Sequence, residues 1–327
     1  MYAPTNKKML NMLILEILRK HSDEEHALTQ QDIIKILKND YAMTCDRRSV
    51  KNNIVSLQEM GYDIEDEHGY KLLTREFSDS ELRILINSIL FSKSISVKQA
   101  KDLIEKIRSL GSDYFTAKVS NINNLPELRR TDNKQALYSL DLVNDAITKK
   151  RKISFIYNEY GTDFKLHPKR TFPSVVNPYQ IVASNDRFYL IGNYDKFDDV
   201  VHFRIDKMTD VMILDDPVKP IKKIPELANG LNLSKHMAEH IYMFSGESIN
   251  AKLKTTPGMM GTLVDWFGTD FSIVKANEKE MTVRICCNEM ALRYWALQYG
   301  PYVEVMSPKS LRDKIKEDVK CMWEKYE

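Results

Sequence analysis

Between Asp46 and Met60 the chain presents Arg47, Arg48, Ser49, Lys51, Asn52 and Ser56, residue types that together can grip and read duplex DNA. At about 100° per residue, Val50, Ile54 and Leu57 fall in one narrow sector of a helix. Arg48, Asn52 and Ser56 lie roughly opposite, with Ser49 beside them and Arg47 and Lys51 on the flank. Arginine can hold guanine, and asparagine adenine, through paired hydrogen bonds in a major groove wide enough for one helix. Arg47 and Lys51 suit phosphates, which set register without reading sequence. His236 and His240 have the i, i+4 spacing of helix-borne metal ligands. With Glu239 ill placed as a third ligand and no cysteine near in sequence, they read instead as a solvated helix face. No metal and no other cofactor is expected. Asp265, Trp266 and Glu289 join no nucleophile, base and orienting group in a known motif, and the chain reads as a non-enzyme.

The elements that would position the basic helix are legible. Leu10, Leu13, Ile14, Ile17 and Leu18 repeat at helical spacing. Thr29 and Asp32 make a capping box for a second helix carrying Ile33, Ile34 and Leu37. Thr44 is the expected cap of the third helix, which Gly61 stops. Residues 61–72 alternate on both sides of an acidic Glu65-Asp66-Glu67-His68-Gly69 turn, the pattern of a hairpin. Three helices and a hairpin make a winged helix-turn-helix over residues 1–75, with a wing tip whose charge would repel DNA. A helical connector follows over 76–135. It has a Ser78/Glu81 capping box, a second helix from Val97 to Leu110 and a loop at Asn121–Pro126. Another helix runs from Asn133 to Lys150.

The period then changes from 3.6 to 2. Strands are expected at Lys152–Tyr157, Tyr179–Ala183, Phe188–Ile191 and Val201–Ile205, with Lys207–Val211 closing a small, strongly bent antiparallel sheet over 136–218. Phe188 and Leu190 share one face and Tyr189 takes the other, as Phe203 and Ile205 oppose His202 and Arg204. Register permitting, Tyr189 and Arg204 meet, an aromatic ring beside a guanidinium that suits a phosphate and a stacked base; otherwise Arg204 bonds Asp206 or a backbone carbonyl and Tyr189 is half-buried sheet surface. Residues 232–327 read as βαββαβ, a ferredoxin-like order, with a terminal helix whose Leu311, Ile315, Val319 and Met322 stripe suits packing or a dimer contact.

Composition narrows the class. A length of 327 residues suggests two or three domains. Lys and Arg number 48 against 46 Asp and Glu, a net +2 that excludes a broad basic coat but not a local footprint. The four cysteines, Cys45, Cys286, Cys287 and Cys321, lack the spacing of a disulfide framework or zinc knuckle and fit a reducing compartment. The apolar runs are too short to span a bilayer, and Glu16, Arg19 and Lys20 interrupt the first of them, so no signal peptide is read. A cytoplasmic protein without membrane contact is expected.

Phe188-Tyr189-Leu190 resembles the aromatic-Tyr-Leu signature of WYL domains, with Phe188 where a Trp usually stands. His167-Pro168, the segment Asn177–Val182 and the segment Phe203–Met208 are similar to the same family. Asp46–Val50 resembles the recognition-helix start of its winged-helix regulators, and Tyr242–Gly246, Val264–Gly268 and Trp295–Gly300 resemble its C-terminal extension, the WCX-like domain. The resemblance implies an Sm-like WYL sheet in a bacterial transcription regulator, generally a homodimer, that senses a nucleotide or nucleic acid. It implies ligand-binding roles for Tyr189 and Arg204, with Ser154, Tyr157 and His167. The expected architecture is therefore multidomain α+β: winged helix-turn-helix, helical connector, small bent antiparallel sheet and ferredoxin-like α/β domain. The expected function is a ligand-responsive regulator whose third helices, paired by dimerisation, bind a near-palindromic double-stranded operator. The competing reading is an accessory protein that holds RNA or single-stranded DNA for a nucleic-acid-processing partner.

Overall fold

The computed structural model describes residues 9–119, 131, 133–228 and 230–327. They divide into two compact units, one made of the described residues up to Val119 without Lys93–Ser96, the other of Lys93–Ser96 with Thr131 onward. The expected loop at Asn121–Pro126 lies outside the described residues.

The first unit begins with α1 (Leu10–His21), α2 (Gln30–Tyr41) and α3 (Arg47–Glu59), followed by a hairpin of β1 (Ile64–Glu65) and β2 (Lys71–Leu72). Leu10, Ile14, Ile17 and Leu18 of α1 pack with Ile33, Leu37, Val50, Ile54, Leu57, Ile64 and Leu72 in one core. Both bonds of the Thr29/Asp32 capping box form. The cap of α3 is Asp46, not Thr44: the Asp46 carboxylate accepts from the Ser49 amide at 2.7 Å. A cap reaches the amide two or three positions into its helix, and Thr44 stands too early for that. The segment before α2 is tied to the hairpin by paired main-chain bonds between Leu28 and Tyr70. Gly69 is at φ +108° there, and a Cβ would come within 3.0 Å of the Ala27 Cβ. Helices α4 (Asp79–Phe91), α5 (Val97–Arg108) and α6 (Asp113–Val119) complete the unit. Leu82, Ile86, Ile104 and Phe115 are buried among them. The short α6 escapes a reading by periodicity because two turns present too few apolar positions.

The second unit opens with α7 (Ala136–Lys149), which packs on a sheet of β3 (Arg151–Tyr160), β4 (Leu166–Pro168), β5 (Ser174–Ser184), β6 (Arg187–Tyr194), β7 (Val201–Arg204) and β8 (Met208–Pro217). The spatial order is β4-β3-β5-β6-β7, and β8 also pairs with β3, off that path. Strand β7 passes to β8 through a single 3₁₀ turn at Ile205–Lys207, so the sheet curls on itself, helped by bulges in β3 and β5. Strand β8 runs on to Pro217, well beyond the expected end at Val211. Close approach in the curl requires Gly192, where a Cβ would meet the Asn177 carbonyl oxygen at 2.8 Å. Phe155, Val176, Leu190, Phe203 and Met208 fill the core beneath Val143 and Ala146 of α7.

A linker leads to α8 (Leu233–Glu239), then to β9 (Ser248–Thr255), α9 (Met260–Phe267), β10 (Phe271–Ala276), β11 (Met281–Asn288), α10 (Glu289–Gln298), β12 (Glu304–Ser307) and α11 (Lys309–Trp323). The antiparallel order β10-β11-β9-β12 is that of a ferredoxin-like βαββαβ unit, around a core containing Leu253, Phe267, Val283 and Trp295. Leu311 is the buried residue of α11, whereas Val319 and Met322 are exposed. No helix among the described residues is long and apolar enough to cross a membrane.

Candidate nucleic-acid interface and ligand site

Helix α3 divides cleanly into two faces. Val50, Ile54 and Leu57 are buried, while Arg47, Arg48, Lys51 and Asn52 are exposed and Ser49 and Ser56 are half-buried. Among the described residues no ion pair engages Arg47, Arg48 or Lys51, although other surface cations find acids, as Lys71 does with Glu65 at 3.3 Å. The face is a row of solvated donors with its charge uncommitted. Asp66, Glu67 and His68 at the hairpin tip are exposed.

The sheet site is built differently. Tyr189 of β6 and Arg204 of β7 are direct cross-strand partners. The Arg204 guanidinium donates to Asp206 from Nε at 3.1 Å and from its terminal nitrogen at 2.7 Å. Arg187, at the start of β6, donates to the same carboxylate at 2.9 Å. Asp206 is fully buried, and the two arginine side chains keep 21% and 22% exposure, so an anion can still reach them. Burial alone would lower the Arg204 pKa, but the bonds and charge of Asp206 raise it. Burial, then the Arg204 charge, lowers the Lys207 pKa beside them. The Tyr157 hydroxyl accepts from the Arg204 amide at 3.2 Å, and burial pushes its pKa up to about 12. Behind the turn, Asn133 donates to the Met208 carbonyl at 2.7 Å and Asn158 to the Lys207 carbonyl at 3.0 Å. These bonds hold the Arg204–Lys207 corner in one conformation.

The family model of the WYL domain matches residues 139–213, and that of the WCX domain matches residues 247–323. The chain carries a WYL domain followed by a WCX domain. No curated protein matches it. Among solved structures it is similar to proteasome accessory factor B/C (PafBC) of Arthrobacter aurescens. That match has 12% identity and a TM-score of 0.29, and covers 96% of this chain and 48% of that one. The chain thus spans about half the length of PafBC. A CRISPR Cas-related protein is similar at 15% identity and a TM-score of 0.41, over 76% of this chain and 72% of that one.

Within the WYL domain the expected ligand residues do not all converge. Tyr157, Tyr189 and Arg204 come together. His167, on the edge strand β4, is exposed and bonded to Asp163 at 2.9 Å. No bond joins it to that trio among the described residues. The Ser154 hydroxyl is buried without a hydrogen-bond partner among the described residues. Nor is the Tyr189 ring an open stacking surface. It is 9% exposed, packed with Val182, Ile191, Ile224, Leu227 and Met243 because the linker covers that face of the sheet. Exposed rings occur instead at Phe172, before β5, and Phe197, after β6, with the Arg170 guanidinium 5.9 Å from the Phe172 ring. The motif reading missed Arg187 and Lys207. The first follows the Asn185-Asp186 turn and the second ends the Arg204 corner, so charge next to a turn was the available signal.

The expectation of a solvated face for His236 and His240 is wrong. They are 9% and 4% exposed, because α8 lies against β7 and their rings meet His202. The His202 and His236 Nε2 atoms are 2.8 Å apart. Burial, then the His240 and His236 rings, pulls the His202 pKa down to about 3, and burial, then the His240 ring, pulls that of His236 down to about 4. Burial also lowers that of His240.

Proposed function

We propose that this WYL-domain chain is a transcription regulator that binds duplex DNA and responds to a nucleotide or single-stranded nucleic acid. Its N-terminal helices and hairpin act as a winged helix-turn-helix. Arg48 and Asn52, with Ser49 and Ser56, read base edges, while Arg47 and Lys51 hold phosphates. The observation that carries the reading is the division of α3, with Val50, Ile54 and Leu57 buried and the cations and amide outward without ion-pair partners among the described residues. At the WYL sheet, Arg187 and Arg204 bind a phosphate group, in competition with Asp206. The protein acts in the cytoplasm as a homodimer, without catalysis, and two α3 helices about one DNA turn apart recognise a near-palindromic site.

Selection of bound fragments from random duplexes tests this, with the wild-type chain and the Arg48→Ala/Asn52→Ala variant compared on the selected site. The regulator reading expects an enriched palindrome and loss of specific binding in the variant. Absence of sequence-specific duplex binding overturns it. Retention of single-stranded nucleic acid that disappears in Arg187→Ala or Arg204→Ala would then favour the accessory-protein reading, which the exposed Phe172 and Phe197 rings also suit.

A further inference from the structure

We propose that His202, His236 and His240 form a binding site for one divalent first-row transition ion, with Zn²⁺ as its natural probe. The three rings come from two elements far apart in sequence, β7 and the end of α8. Each offers one nitrogen, and these nitrogens all lie within 4.8 Å of one another. A tetrahedral ion with Zn–N bonds of about 2.0–2.1 Å would space its nitrogens roughly 3.3 Å apart. The 2.8 Å separation of the His202 and His236 Nε2 atoms is already close to that. The ion would draw in the remaining nitrogens, which lie up to 4.8 Å apart, and turn the stacked His236 and His240 rings towards it.

The hydrogen bonds point the same way. The His240 Nδ1 lies 3.0 Å from the His236 carbonyl oxygen and can only donate to it. With that proton on Nδ1 the neutral ring carries its lone pair on Nε2, the arrangement in which an outer carbonyl orients a metal-ligating histidine, and the Gly246 main chain also lies close to this ring. The facing Nε2 atoms of His202 and His236 leave a dilemma without an ion. One must donate to the other, and in either tautomer the His202 Nδ1 stays buried without a well-formed hydrogen bond among the described residues. An ion accepts both lone pairs at once and fixes the His202 proton on Nδ1, towards the nearby Phe244 main chain. Imidazoles favour zinc, nickel, copper and iron over the harder calcium and magnesium.

The surroundings suit a cation. Desolvation, then the charges of Asp199, Glu247 and Glu239, raises the pKa of Glu226. Glu239, beside His240, keeps only 16% side-chain exposure. Three protein ligands leave a fourth position for water. Such an ion would clip β7, two residues from Arg204, to the segment that leads into the WCX domain. It would bind whether or not α3 binds DNA.

The test uses the full chain, purified with a tag that contains no histidine, stripped with a chelator and dialysed against Zn²⁺ or Co²⁺. The expected result is one ion per chain by elemental mass spectrometry. The Co²⁺ form should show the visible absorption of a tetrahedral site. The melting temperature should rise by roughly 5 °C at a hundredfold excess of Zn²⁺ over its Kd. His202→Gln and His236→Gln should abolish all three readouts, while His68→Gln, at the exposed hairpin tip, should leave them unchanged. Binding of far less than one equivalent by the wild-type chain overturns the proposal. So does binding that survives both substitutions. If the variants fail to fold, the wild-type Co²⁺ spectrum decides alone: octahedral or absent bands overturn the site.

Discussion

The outer face of α3 and the arginine corner of the WYL sheet are both basic, yet they are built on opposite terms. On α3 the cations are exposed, and among the described residues no ion pair engages them. On the sheet, two arginines keep about a fifth of their exposure and share one fully buried carboxylate. An anion approaching α3 has only water and salt to displace, so binding there should be strongly salt-dependent. An anion approaching Arg204 must compete with Asp206 for a guanidinium that is already oriented. Solvated charge suits a long polyanion met at many points, and preorganised charge suits a single small group bound in one pose. Packing also sets the two apart: α3 rests on Val50, Ile54 and Leu57 while its cations stay exposed, whereas the sheet cations are largely buried around Asp206.

Removing Asp206 should give the largest effect and would break the comparison if it did not. Asp206→Ala leaves two mostly buried guanidiniums without their anion, and loss of one partner of a buried ion pair costs about 3 kcal/mol or more. Urea denaturation should show this as a lower midpoint, with partial rescue by phosphate, which can replace the lost carboxylate. Arg48→Ala should stay within about 0.5 kcal/mol of wild type in the same experiment, as an exposed substitution away from packing. Equal destabilisation by the two variants would contradict the division drawn here.

The next largest effect falls on DNA binding. Arg48→Ala and Asn52→Ala should each cost about 1–3 kcal/mol at the base they read and relax preference there. Lys51→Ala should weaken all duplexes alike and reduce the slope of log K against log salt by about one. Titrations at several salt concentrations separate the two behaviours. A uniform loss for Arg48→Ala would move it from base readout to phosphate contact. Tyr157→Phe sharpens the other side of the comparison. It removes the acceptor of the Arg204 amide bond of 3.2 Å, and should cost about 1 kcal/mol of stability while sparing DNA binding by α3.

The same contrast explains what could be read from the sequence. The α3 site was legible because one helix carries both its core and its working face, so periodicity sorts Val50 from Arg48 within a few residues. The βαββαβ order was legible because turn residues and periods mark each element. Tyr189 and Arg204 could be paired only conditionally, since their contact depends on a strand register that no single strand encodes. Coverage was less accessible still. Nothing in the alternation of Phe188, Tyr189 and Leu190 says that Ile224, Leu227 and Met243 close over the tyrosine. His236 and His240 were misjudged for that reason, because a helix of seven residues does not announce which neighbour buries it, and His202 stands 34 positions away. Sites on one element are written in local pattern, while sites between elements are written in packing.

The smallest expected effect concerns how α3 begins, where Asp46 and not the expected Thr44 is the cap. Asp46 accepts from the Ser49 amide, and its charge also opposes the positive end of the helix. Asp46→Ala should destabilise the first unit by about 1 kcal/mol, typical for loss of an N-cap, whereas Thr44→Ala should change it by only a few tenths. The charge has a second consequence, because Asp46 directly precedes Arg47 and Arg48. Asp46→Asn keeps a capping oxygen but removes a negative charge from the face proposed to meet phosphate, so it should bind duplex DNA more tightly at low salt while nearly retaining stability. Thermal melts and binding titrations on the same three variants measure both. If Asp46→Asn weakens DNA binding, the carboxylate itself takes part in recognition, and the cap and the reading surface cannot be separated even on α3.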